Sequence, residues 1–106
     1  MSSDPLLARI IDRILQVTDP DRIVLFGSRA RGDARPDSDF DFLVIQPSEA
    51  PRYRRPGRIY AALADLPAEV EVVVYTPQEV DQWREVPQAF VTTALRQGRV
   101  VYEREG

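Results

Sequence analysis

Three short and almost uninterrupted apolar runs, Ile23–Phe26, Phe40–Ile45 and Val70–Tyr75, lie along a chain of 106 residues, parted by stretches of helical or turn character. Ile23–Phe26, closed by Gly27, suits a strand covered on both faces, and the other two runs read as strands, the last half-exposed if Glu71 faces solvent. Helices must then pack on either side of whatever sheet they form. About 100 residues bury one core, so the expectation is a single mixed α/β (α+β) domain over residues 1–106, a small mixed sheet with helices packed on it.

The intervening stretches fit that plan. Leu6, Leu7, Ile10, Ile11, Ile14 and Leu15 recur on one helical face behind a Ser3/Asp4 cap and Pro5, predicting a helix that ends near Asp19-Pro20. Ile59, Tyr60, Leu63 and Leu66 predict a second amphipathic helix. Thr76-Pro77-Gln78-Glu79 is a capping box: a hydroxyl cap, proline at the first helical position and glutamate three residues after the cap. Pro87 is expected to open a last helix carrying Phe90, Val91, Ala94 and Leu95, closed by Gly98 as a left-handed cap, before a final strand, Arg99–Tyr102. Tyr60, Trp83 and Phe90 read as core or interface residues.

Composition narrows the chemistry. The sequence has no Cys, no His and no Lys, so all 14 basic residues are Arg. Thiolate nucleophiles, Cys/His zinc sites, histidine-based triads, Schiff bases and lysine-dependent P-loops are excluded on this chain alone. What remains is carboxylates, hydroxyls, arginines, backbone amides and a hard cation that prefers oxygen ligands. The net charge of −3 argues against direct nucleic-acid binding. Arg52, Arg54, Arg55 and Arg58 read as a solvated face or a partner contact, because Tyr53 alone makes no stacking platform. No secretory or membrane-spanning run is evident, and a cytoplasmic location is the default expectation.

The informative stretch is Phe26-Gly27-Ser28-Arg29-Ala30-Arg31-Gly32 followed by Ser38-Asp39-Phe40-Asp41. Residues i and i+2 of a strand share a face, with alpha carbons about 6.5 to 7 Å apart, so Asp39 and Asp41 can converge on a cation. Left bare, two such charges about 4 Å apart repel by ~1 kcal/mol in water and ~4 kcal/mol at an effective dielectric of 20. Arginine, Mg²⁺ or Mn²⁺ would relieve that repulsion. Gly27 permits a tight turn after a buried strand, and Ser28 offers a hydroxyl and an amide to phosphate oxygens. Arg29 and Arg31 could add charge-assisted contacts to a triphosphate. Glu71, or Glu69 of the same parity, would join the two aspartates if its strand lies beside theirs in matching register.

Gly27-Ser28, ten intervening residues and Asp39-Phe40-Asp41 together resemble the signature of the DNA polymerase beta-like nucleotidyltransferase superfamily. The form Gly-Ser-Arg-Ala-Arg-Gly with Ser-Asp-Phe-Asp, on so short a chain, is most similar to the minimal nucleotidyltransferases. The resemblance implies a polymerase beta palm-like fold and metal-dependent transfer of NMP, usually AMP from ATP, to an acceptor hydroxyl. It implies Gly27 and Ser28 as the phosphate-binding turn and Asp39 and Asp41 as metal ligands; beside these, Arg29, Arg31 and Ser38 are expected on the nucleotide, and Glu71 as a third metal ligand and catalytic group. Its minimal members are commonly antitoxins paired with a HEPN-domain toxin, so a hetero-oligomer is expected. The third acid is usually aspartate there, whereas this chain has Glu71.

That departure keeps a second reading open: a catalytically silent module that neutralises its partner by contact. A small-molecule transferase of the antibiotic-modifying type would need an additional acceptor domain, and one domain of this size also disfavours polymerase or tRNA-processing roles.

Overall fold

The computed structural model of the chain describes residues 4–32, 35, 38–83, 86 and 89–105. Helix α1, Pro5–Val17, begins as its cap dictates: the Asp4 carboxylate accepts from the amides of Leu6 and Leu7 at 3.0 and 3.2 Å. The helix stops slightly earlier than the sequence predicts, where Thr18 turns extended and its hydroxyl bonds the Ile14 carbonyl at 2.7 Å. Strand β1, Arg22–Phe26, leads into the short helix α2, Ser28–Arg31, and then β2, Phe40–Ile45. Helix α3, Gly57–Leu63, crosses to β3, Val70–Tyr75; α4, Pro77–Trp83, α5, Phe90–Gln97, and β4, Arg99–Glu103, complete the order.

The four strands form one sheet in the order β3-β2-β1-β4. β1 is antiparallel to both β2 and β4, whereas β2 and β3, joined through α3, run parallel. The sheet is therefore mixed, as the sequence predicts. On one face Leu25, Phe40, Phe42, Val44, Val72 and Val74 pack beneath α1 and α3 into the main core. On the other, Val24, Leu43 and Ile45 meet Ala94 of α5 in a smaller cluster. Because both faces are covered, β1 and β2 are apolar at nearly every position.

Local expectations fare unevenly. The capping box forms, with the Glu79 amide bonding the Thr76 hydroxyl at 3.1 Å and the Glu79 carboxylate accepting from the Thr76 amide at 2.8 Å. The second helix ends at Leu63, before Leu66, which stays buried in the following turn. Pro87 lies outside the described residues, and α5 is described from Phe90. Gly98 is not a left-handed cap: at φ −83° and ψ 176° it is extended, because the chain passes straight into β4. Its lack of a side chain serves close packing instead, since a Cβ there would collide with the Ala94 carbonyl and come within 2.9 Å of the Leu25 carbonyl. Tyr60, Trp83 and Phe90 are about two-fifths exposed, so none is a core residue. The Tyr60 hydroxyl bonds both the amide and the carbonyl of Val72, sealing part of the outer edge of β3. Among the described residues, no helix is long and apolar enough to cross a membrane.

Candidate active site

The sharp turn after β1 brings the glycine-serine pair to the acidic end of β2. Gly27 has φ +75°, a backbone region that side chains disfavour, and α2 begins at once, with the amides of Ala30 and Arg31 on the Gly27 carbonyl at 3.1 and 3.2 Å. Gly32, at φ +84°, ends the helix as a left-handed cap. A Cβ on Gly27 would lie 2.5 Å from Oδ2 of Asp41. Glycine is thus needed twice, for the turn and for the approach of the carboxylate.

The sheet register supplies the third acid. Phe26 pairs with Asp41 across β1 and β2, and Asp41 pairs with Glu71 across β2 and β3, so the three side chains form one row on the α5 face. Both conditions on Glu71, an adjacent strand and a matching register, are met. Glu69 is placed differently: its carbonyl accepts the Phe40 amide at 2.9 Å, and it lines a cavity of about 510 Å³ with Leu6, Arg29, Phe40 and Leu66. That cavity opens against the main-core side, and neither Asp41 nor Glu71 is in its wall.

Asp39 stands exposed just before β2, and Asp41 is half-buried at its first turn inward. Burial raises the Asp41 carboxyl above the ordinary carboxylate range, and the nearby charges of Glu71 and Asp39 raise it further, while Arg31 pulls it back. Asp41 therefore senses the charge of both other acids. As they stand, no three carboxylates among the described residues are gathered closely enough to hold a metal ion. The donor set is nonetheless the one a hard divalent cation takes, and a cation would offset the repulsion that Glu71 and Asp39 add to the effect of burial on Asp41.

Of the predicted phosphate-side residues, Gly27 lies beside Asp41 with Ser28 next in the chain as the first residue of α2, and the Arg31 charge reaches Asp41. Arg29 and Ser38 are bound to each other: Nε and Nη2 of Arg29 donate to the Ser38 carbonyl at 3.0 and 2.8 Å. The Ser38 hydroxyl accepts the Arg35 amide at 2.8 Å. This clasp is the feature the sequence does not disclose, since adjacent arginines on a short helix carry no mark of which one turns inward. Similarly, the arginine cluster is not simply a solvated face: Arg55 is buried in an ion pair with Glu79 at 2.6 Å, and Arg52 stacks on Tyr75 at 4.3 Å.

Comparison with known proteins bears on the fold and the family. No curated protein matches the sequence. A solved structure from Sulfolobus solfataricus, described as a candidate nucleotidyltransferase, superposes with a TM-score of 0.65 at 20% identity, covering 93% of this chain and 78% of that one. A toxin-antitoxin structure containing AMP-PNP superposes with a TM-score of 0.64 at 19% identity, covering 92% of this chain and 73% of that one. At these identities the likeness establishes the fold. The family model described as polymerase beta, nucleotidyltransferase matches residues 9–106, which takes in the glycine-serine turn, the acidic strand and its parallel neighbour, and the chain belongs to the polymerase beta nucleotidyltransferase family.

Proposed function

We propose that this protein is a metal-dependent nucleotidyltransferase that moves NMP, specifically AMP from ATP, onto a hydroxyl of a partner protein, acting in the cytoplasm as the antitoxin to a HEPN-domain toxin. The observation that carries the reading is the position of Asp41, pressed against Gly27 on one side and registered with Glu71 on the other. One carboxylate thus joins the phosphate-side turn to the acidic row. The toxin-antitoxin structure of the same fold supports a protein partner.

Asp39, Asp41 and Glu71 would hold Mg²⁺ or Mn²⁺. When bound, the cation supplies charge neutralisation and Lewis acidity for phosphoryl chemistry. The Gly27-Ser28 turn presents its amide and hydroxyl to the phosphate oxygens, and Arg31 sets a positive charge where negative charge gathers on the leaving pyrophosphate. The acceptor oxygen attacks the α-phosphorus, the bond between that phosphorus and the α,β-bridging oxygen breaks, and the acceptor proton passes to Glu71. Most of the rate then comes from positioning and electrostatics.

The test is to incubate the chain with labelled ATP, Mg²⁺ and the protein that co-purifies with it, and to look for added AMP by mass spectrometry. The adduct is expected with the wild type and not with Asp41→Asn. The contact-only reading draws on Glu71 standing where aspartate is usual and on the three acids not yet being gathered. It predicts no adduct and unchanged neutralisation by Asp41→Asn.

A further inference from the structure

We infer that Arg29 is a positioning residue for the acidic site, fixing Asp39 from behind, a claim that rests on the transferase reading above. Its guanidinium donates two hydrogen bonds to the carbonyl of Ser38, the residue before Asp39. The same group lies 3.9 Å over the ring of Phe40, the residue after it. Asp39 is thereby bracketed on both sides by one planar cation. Nη1 of Arg29 also pairs with the Asp4 carboxylate at 3.8 Å, and the side chain is only 16% exposed.

The clasp ties together parts that are distant in sequence. Arg29 follows Ser28 directly and sits in α2, whose start is set by the Gly27 turn. Phe40 is 2% exposed, stacks on Phe42 at 6.2 Å and donates its amide to Glu69 at 2.9 Å, so it is a fixed anchor. One guanidinium thus holds the phosphate-side turn and the segment carrying Asp39 at a set separation. The geometry is particular to arginine. Lysine keeps the charge but has neither the fork that grips one carbonyl twice nor the flat face that stacks on a ring. Arg29 acts through Asp39; with its guanidinium committed to Ser38 and Phe40, it does not serve as a phosphate ligand.

The test titrates Mn²⁺ into wild type, Arg29→Lys and Asp41→Asn, at a temperature where melting curves show all three folded. In the same proteins, amide exchange at Asp39 and Phe40 and KM for ATP are measured. Arg29→Lys is expected to bind Mn²⁺ roughly tenfold more weakly, as for groups that orient metal ligands. Exchange at Asp39 and Phe40 should be faster, and excess Mg²⁺ should restore kcat in part with little change in KM for ATP. Phe40→Leu keeps the carbonyl grip and removes the ring, and is expected to weaken Mn²⁺ by about threefold, a fraction of that loss. Unchanged Mn²⁺ affinity and unchanged exchange in Arg29→Lys overturn the positioning role. So does a rise in KM for ATP with metal affinity intact, which would make Arg29 a phosphate ligand. A wild type that binds Mn²⁺ no better than Asp41→Asn overturns the transferase reading and the metal-positioning claim with it, while faster exchange would still register the clasp.

Discussion

Glu79 and Asp41 are both acids at the beginning of a secondary-structure element, and the protein treats them in opposite ways. Glu79, in the first turn of α4, accepts from Arg55 at 2.6 and 3.3 Å and from the Thr76 amide at 2.8 Å, with Arg52 at 3.5 Å. These partners, Arg55 above all, bring its carboxyl down to about 2. Asp41, at the start of β2, has no ion pair among the described residues; burial and the charges of Glu71 and Asp39 push its carboxyl up, and the Arg31 charge offsets this only in part. A chain with 14 arginines could have neutralised both. It spends two on the acid that staples α4 to the turn before α3, and leaves the other able to receive a cation. Partial compensation in one place and full compensation in another mark the difference between a candidate site and a joint.

The largest effect that tests this contrast is expected from Asp41→Asn, which should lower nucleotidyl transfer by roughly 10³-fold while raising Tm at neutral pH. The sign follows from the raised carboxyl: the native state holds the proton more tightly than the unfolded chain, so a penalty on folding grows as pH rises through the folded pKa. A fall in Tm would break the comparison. Glu71→Gln comes next, with transfer down by roughly 10²-fold if Glu71 handles the acceptor proton, and with the Asp41 carboxyl moved back toward its ordinary value, readable by NMR titration. Unaltered transfer in this variant would remove Glu71 from the site.

On the compensated side, Glu79→Gln should cost ~2 kcal/mol, a Tm loss of about 10 °C, with transfer unchanged at a temperature where the variant is folded. The wild type should lose that same stability as pH falls from 4.5 through about 2, because the depressed carboxyl stabilises the fold only while ionised. Arg52→Leu should have the smallest effect, about 0.5 kcal/mol in a denaturant melt, since this arginine is 47% exposed and Arg55 keeps the main contact.

Much of the fold is legible from local pattern because its causes are local. Asp4 and Pro5 start α1, and Thr76 to Glu79 start α4, through bonds between residues two or three apart. The apolar runs of β1 and β2 announce covered strands, whereas β3 alternates between buried and more exposed positions. Gly98 departs from the expected cap because its role depends on what lies against it: the Ala94 and Leu25 carbonyls, the second from a strand more than seventy residues earlier in the chain. The arginine cluster differs from a solvated face for the same reason, since Arg55 and Glu79 are 24 residues apart.

The candidate site divides along that line. Residue identities and their spacing sufficed to single out Gly27, Ser28, Asp39, Asp41 and a glutamate near 70, because a tight turn needs glycine and alternate strand residues share a face. The choice of Glu71 over Glu69 required the parallel pairing of β2 with β3, and the inward turn of Arg29 onto Ser38 and Phe40 required the packed loop. Periodicity sets which way a side chain points along its own strand. Which neighbour it meets there depends on register and packing, and those exist only after the chain has closed on itself.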